Sequence, residues 1–178
     1  MAGDWFQTYT GRRFYPLAPK PEDLDIRDIA HALARVCRFG GHTMDFYSVA
    51  QHSILVSQTV PPELAREGLM HDAAEAYLGD MVRPLKLQMP EYQRAETYLE
   101  QVIAERFRLN YIPGSGWGPL VKEADNRLLA TERRDLLGHR LAWSPMPQPL
   151  EDTIFPWCPE MAEQGFLRRW AELGGKIP

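Results

Sequence analysis

The sequence predicts an all-α protein, and three observations lead there. Apolar residues recur at spacings of three and four in segment after segment, the period of a helix with one buried face. Pro and Gly gather mostly between those segments, where they stop and start helices. No segment holds the strict alternation of a half-buried strand. The 178 residues, with 44% apolar side chains, suffice for one domain with its own core. Residues 1–178 are therefore expected to form a single unit.

The elements follow in order. Residues 1 to about 23 are aromatic and Pro-containing, the character of an irregular arm laid on the body. "DLDIRDIAHALARVCRFGG" reads as a helix through Ile26, Ile29, Ala30, Leu33 and Cys37, ended by Gly40 and Gly41. In "FYSVAQHSILVSQTV", Val49, His52, Ser53 and Val56 share a face, and Pro61 and Pro62 end that helix and begin the next. "GLMHDAAEAYLGD" then continues as helix to Gly79 and Asp80. "MVRPLKLQMP" is a Pro-broken loop. "EYQRAETYLEQVIAERFRL" is a strongly amphipathic helix through Tyr92, Ala95, Leu99, Val102 and Ile103. After the Gly- and Pro-rich "NYIPGSGWGP", the helix "LVKEADNRLLATERRDLLG" carries Val121, Ala124, Asp125, Leu128 and Leu129 on one face. From about 143 to 178 the chain is Pro- and Trp-rich and irregular, closing with the short helix "EMAEQGFLRRWAEL".

Composition narrows the function. No apolar run approaches the roughly 20 residues that span a bilayer, and "MAGDWFQTYTGRRFYP" has no basic-then-apolar leader pattern. No membrane partner and a cytoplasmic setting are expected. The formal net charge of −4 argues against a general nucleic-acid binder and leaves room for a small anionic substrate. Cys37 and Cys158 form no paired motif and read as reduced thiols without chemistry.

Three of the helices share an anomaly. His52 sits between Val49 and Val56, His71 and Asp72 interrupt an Ala-rich stretch, and Asp125 lies among Val121, Ala124 and Leu128. Each would point inward, where an uncompensated polar group is costly. Taken singly, each has an ordinary explanation: a satisfied core histidine, or an Asp paired with Arg127 or Arg133. Taken together, two imidazoles and two carboxylates complete a ligand set for one divalent cation and leave positions for water and substrate. A metal would offset the cost of burying them.

The stretches "CRFGGHTMDFYSVAQHS", "LMHDAAEAYLGDMVRPLK" and "VKEADNRLLATE" resemble the HD superfamily of metal-dependent phosphohydrolases. Within it, the sequence looks most like the bacterial 5′-deoxynucleotidases and the small phage deoxynucleotide triphosphohydrolases. The resemblance spans roughly residues 35 to 140. It implies an HD-domain helical bundle with His52, His71, Asp72 and Asp125 as metal ligands and Glu75 as the catalytic glutamate. It also implies that Asp80 contacts the sugar, that Arg38 faces the substrate and that Lys86 attends the phosphate. Phe39 stands where those relatives commonly carry a tryptophan, which leaves base selectivity open. Independently, Glu75 follows His71 by four residues and Asp72 by three, so on a helix it shares their face. His42, in "GGHT", is a further candidate for neutralising phosphate charge, with ordinary loop chemistry as its alternative.

The expected activity is hydrolysis of phosphate from deoxynucleoside 5′-monophosphates with one divalent ion, Mn²⁺, Co²⁺ or Zn²⁺. A single ion is favoured because no histidine lies between Asp72 and Asp125, where two-metal members of the superfamily carry more. The alternative at the same site is release of triphosphate from a deoxynucleoside triphosphate. A non-catalytic nucleotide-binding module is a third reading. The aromatic arm (Trp5, Phe6, Tyr9, Phe14, Tyr15) and tail (Trp143, Trp157, Trp170) offer apolar surface for a homo-oligomer, or for packing within one chain.

Overall fold

The structure, a computed structural model, describes residues 4–139, 141, 143 and 145–178. It is mostly helical, as expected, with one exception in the arm. Phe6–Gln7 (β1) and Arg13–Phe14 (β2) pair antiparallel, with Phe6 opposite Phe14 and Gln7 opposite Arg13. Strands of two residues are too short to show an alternation, so the pattern did not reveal them. The ribbon is held by burial of Phe14, whose ring stacks on Tyr77 with centroids 4.2 Å apart. Asp28 adds a clamp, accepting from the Thr10 amide at 2.6 Å and the Thr10 hydroxyl at 2.9 Å.

Helix α1, Ile26–Leu33, starts at Asp25, whose carboxylate caps the Arg27 amide at 3.0 Å. It stops well before Gly40, contrary to expectation. Cys37 instead forms an isolated bridge with Ser48, and the Arg38 amide donates to the Tyr47 carbonyl at 2.9 Å. Those bonds draw the chain out of the helix, and Arg38–Gly41 makes a separate tight turn. Helix α2, Val49–Thr59, is capped by the Ser48 hydroxyl. A short 3₁₀ turn at Pro62–Leu64 leads into α3, Ala65–Met70. Next come α4, Glu75–Leu78, and α5, Arg83–Lys86, a single turn inside the segment expected to be loop. The long helices are α6, Pro90–Phe107, and α7, Pro119–Leu136, and α8, Pro159–Glu172, closes the chain.

Helix α2 is central and packs against α1, α3, α7 and α8. Its Ala50 and Ile54 join a larger core with Ile29, Leu33, Leu69, Ile103 and Phe166. Its Val56, with Val60 just past its end, joins a second core with Val121, Ala124 and Leu128 of α7. A polar group on α2 between those contacts is therefore sealed from water on several sides. The tail is partly core: Trp170 is buried, and its indole N–H donates to the Lys176 carbonyl at 3.1 Å. Among the described residues, no helix is long and apolar enough to cross a membrane.

Candidate metal centre

The sequence stretch 68–80, expected as one helix, breaks at its polar centre. After Met70 the chain winds more tightly. The Ala73 amide bonds to the Met70 carbonyl at 3.0 Å, and the Glu75 amide to the Asp72 carbonyl at 3.0 Å. Such three-residue closures have about three residues per turn, so side chains at i and i+3 eclipse. Asp72 and Glu75 thereby face the same way more closely than an α-helix would allow. Gly79, with φ +81°, ends α4 and turns the chain at Asp80.

Two histidines meet over this turn. His52, wholly buried on α2, and His71 bring their Nε2 atoms to 3.3 Å. The Nδ1 atoms identify which nitrogens carry protons. His71 Nδ1 lies 2.8 Å from the Gly68 carbonyl, an acceptor only, so Nδ1 is the donor. His52 Nδ1 lies 2.6 Å from Glu132 Oε1 and donates likewise. In their neutral forms, with Nδ1 so engaged, both rings direct Nε2 lone pairs at one point. Asp72 Oδ2 joins them, 3.2 Å from His71 Nε2 and 3.6 Å from His52 Nε2. These three donors all lie within 4.8 Å of one another and form a group that could hold a metal ion. Asp125 stands outside that group of three and reaches it through His52, its Oδ1 3.4 Å from Nε2.

Donors bound at about 2.1 Å to one ion sit about 3.0–3.4 Å apart, close to these spacings. Lone pairs so arranged repel unless positive charge lies between them. His52 shows the demand for charge. Burial and the Arg38 guanidinium work against its protonation, yet Glu132 and Asp125 outweigh them and lift its pKa from 6.5 to about 9. Burial likewise opposes ionisation of Asp72 and Asp125, but the histidines hold both carboxyls below the usual carboxylate range. The donor chemistry fits a divalent cation.

A cavity of about 280 Å³ opens from this cluster, and His71, Asp72, Asp125, Glu75, Lys86 and Lys122 are among its lining residues. Glu75 is 5% exposed, and its Oε2 is buried without a partner. Burial, then the charges of Asp72 and Asp80, push its carboxyl well above the usual range. Its proton-holding form is thus favoured beside the donor cluster.

The remaining expected residues distribute unevenly. Arg38 is drawn into the cluster, donating to Asp72 Oδ2 at 3.4 Å and to Glu132 Oε2 at 3.0 Å. Asp80 is half-buried, and its pKa is raised by burial against the pull of Arg38, with Asp72 adding to the rise. It stands within electrostatic reach of the cluster but outside the cavity lining. Lys86 lines the cavity with its ammonium on Glu96 Oε1 at 2.7 Å. Asp125 takes its ion pair from Lys122 at 2.5 Å, one turn away, rather than from Arg127 or Arg133. Phe39 also lies off the cavity. It holds φ +55°, costly for a residue with a Cβ, and its ring is 5.7 Å from the Arg38 guanidinium. His42 is exposed, and its backbone closes the turn onto the Phe39 carbonyl. No hydrogen bond or ion pair among the described residues links its ring to the donors.

Glu132 is the residue that sequence reading missed. It is wholly buried and holds both His52 and Arg38. Its signal was present, because it follows Asp125 by seven residues and so shares the inward face of α7.

No family model matches the chain. It is 40% identical over 173 residues to "Uncharacterized protein YfdR" of Escherichia coli (strain K12), covering 95% of each chain. It is 35% identical over 148 residues to "Uncharacterized protein RCAP_rcc00048" of Rhodobacter capsulatus, covering 78% of this chain and 76% of that one. Similarity sustained from end to end at that identity means that the chain belongs to the same family as YfdR.

Proposed function

We propose that this protein is a metal-dependent phosphohydrolase of the HD type that removes phosphate from deoxynucleoside 5′-monophosphates. The observation that carries the proposal is the pairing of two features at one cavity. Two histidines locked by Nδ1 bonds present Nε2 toward Asp72 and Asp125. Beside them, Glu75 offers a buried carboxyl oxygen without a partner. His52, His71, Asp72 and Asp125 would hold one divalent ion, Mn²⁺, Co²⁺ or Zn²⁺. Such an ion lowers the pKa of water and polarises a phosphoryl oxygen.

The chain's own groups account for the rest. Glu132 and the Gly68 carbonyl fix the two imidazoles in the ligating tautomer. Water adds its oxygen to phosphorus, the bond from phosphorus to the 5′ oxygen breaks, Glu75 gives that oxygen its proton, and a proton from the attacking water returns to Glu75. The products are nucleoside and orthophosphate. Arg38 balances the carboxylates, and Lys86, held by Glu96 at 2.7 Å, is assigned to the phosphate. Asp80 is assigned to the sugar and Phe39 to the base side. A cytoplasmic homo-oligomer belongs to the same reading. Trp5, Phe6, Tyr9 and Leu17 stay exposed on the arm, whereas Phe14 and Trp170 are buried within the monomer.

The test is metal analysis of the purified protein followed by a rate panel. Ribo- and deoxynucleoside mono-, di- and triphosphates are assayed with Mn²⁺, Co²⁺, Mg²⁺ and Zn²⁺. Stoichiometric metal and orthophosphate release from deoxynucleoside monophosphates are expected. A protein that holds no metal and cleaves none of the panel would refute the proposal.

A further inference from the structure

Trp117 is the one aromatic side chain that lines the cavity besides the ligand histidine, His71. Local geometry fixes it there. Gly116 and Gly118, at φ +62° and +89°, bracket it in the left-handed region that favours glycine. The Ile112 amide donates to the Gly116 carbonyl at 2.8 Å and closes the loop just before it. Pro119 then begins α7, the helix that carries Asp125. The Trp117 ring packs edge-on against Tyr111 with centroids 5.1 Å apart, and the Tyr111 hydroxyl donates to Glu100 Oε2 at 2.9 Å. The ring also packs against both cores, so the chain itself sets its orientation. Its polar atom is left over. Nε1 is buried and meets no acceptor among the described residues. Burial lifts the Glu100 carboxyl to about 7, against the Tyr111 bond and a smaller pull from the Trp117 N–H, yet that N–H completes no hydrogen bond to it. An indole nitrogen can only donate, and a buried donor without an acceptor is costly.

We infer that Trp117 binds the base of the nucleotide, its indole N–H donating to an acceptor on the base edge. The inference rests on the phosphohydrolase reading and deepens it by naming the residue that meets the base. Glu75 protonates the leaving 5′ oxygen and is itself a lining residue, so the nucleoside attached to that oxygen occupies this cavity. At about 280 Å³ the cavity is just below the usual range of about 300–1,000 Å³ for a complete small-molecule site, which suits a nucleoside whose phosphate sits at the metal donors. Every nucleobase carries ring-nitrogen or carbonyl acceptors and a flat apolar face, a match for an N–H donor on an aromatic ring. Lys86 and Lys122 are already matched by Glu96 and Asp125, which leaves the Trp117 N–H as the buried donor with its bond still to make. Phe39 lies off the cavity with its ring near Arg38, so the direct contact to the base falls to Trp117.

The experiment compares wild type with Trp117→Phe, Trp117→Ala and Phe39→Ala, each loaded with Mn²⁺ and checked for metal content and fold by elemental analysis and circular dichroism. Calorimetry measures binding of the four deoxynucleosides and of orthophosphate. Kinetics give kcat/KM for deoxynucleoside monophosphates relative to 2-deoxyribose 5-phosphate, which has no base. Trp117→Phe keeps a ring and removes the donor, so deoxynucleoside affinity should fall about two- to tenfold, the worth of one hydrogen bond. Trp117→Ala removes the ring as well and should lose about 5- to 150-fold. The rate ratio should fall by similar factors, through KM, while orthophosphate affinity changes little. Wild-type deoxynucleoside affinity in Trp117→Phe would overturn the assignment, as would a wild type that binds no deoxynucleoside. A larger loss from Phe39→Ala than from Trp117→Ala would overturn it by returning the base to Phe39. Equal losses on deoxyribose phosphate and on deoxynucleotides would overturn it by reducing Trp117 to a structural part. If deoxynucleosides bind through Trp117 and no nucleotide is cleaved, the phosphohydrolase reading fails and the base site stands.

Discussion

Replacing Glu132 with Gln probes the centre without touching a ligand. Glu132 is wholly buried, accepts from His52 Nδ1 at 2.6 Å through one oxygen and from Arg38 at 3.0 Å through the other. The amide keeps the shape and one acceptor for His52. It also removes a buried negative charge and turns an N–H₂ group toward Arg38, donor against donor. Charge-assisted bonds are roughly twice as strong as neutral ones, so the imidazole becomes less basic and less firmly oriented. Loss of such a supporting partner weakens metal binding about 10- to 100-fold, equivalent to about 1.4–2.8 kcal/mol. Isothermal titration of the metal-stripped protein with Mn²⁺ or Zn²⁺ measures the change directly, and circular dichroism checks the fold. Glu132→Ala should be worse for stability, by about 3–5 kcal/mol, because it strands the Arg38 charge with only a 3.4 Å contact to Asp72. A folded Glu132→Gln protein with wild-type metal affinity would refute the idea that this carboxylate holds His52 for a cation.

Other outcomes follow from the same packing. Glu75→Ala should keep stoichiometric metal while kcat falls about 10²- to 10⁴-fold, the usual worth of a general acid; elemental analysis beside a phosphate-release assay separates the two effects. Gly68→Ala would place a Cβ 3.0 Å from Val60 Cγ2 and 3.1 Å from Ser57 Cα. It should therefore push α3 from α2, cost about 1–3 kcal/mol in urea unfolding and weaken metal binding through the His71 anchor. Asp25→Ala should cost about 0.5–2 kcal/mol through loss of the α1 cap. Bonding to Arg27, working against burial, lowers the Asp25 pKa in the folded protein. Its contribution should thus be complete above about pH 4 and fade as pH falls through the lowered value. An equal difference between wild type and Asp25→Ala at pH 7 and at strongly acid pH would contradict that linkage.

The legible part of this protein is the part written in periodic pattern. Helices α2, α6 and α7 were visible because their apolar spacing matches the helical repeat over many turns, and His52 and Asp125 stood out against that spacing. Three features were not legible. The end of α1 depends on Cys37 and Arg38 bonding to Ser48 and Tyr47 of the following segment. The β-ribbon depends on Phe14 finding Tyr77. The break at His71 depends on α3 meeting α2, since the apolar pattern of 68–80 by itself continues a helix.

The candidate centre divides along the same line. The sequence by itself determined which side chains could serve, because burying two imidazoles and two carboxylates on apolar faces needs a compensating charge. Only the tertiary structure decided their states. Nδ1 of His52 and Nδ1 of His71 are committed by partners 80 and three residues away, and Lys86 is matched by Glu96 across ten residues. Hydrogen bonds act over about 3 Å of space, so protonation and charge balance are decided by who is adjacent once the helices have packed.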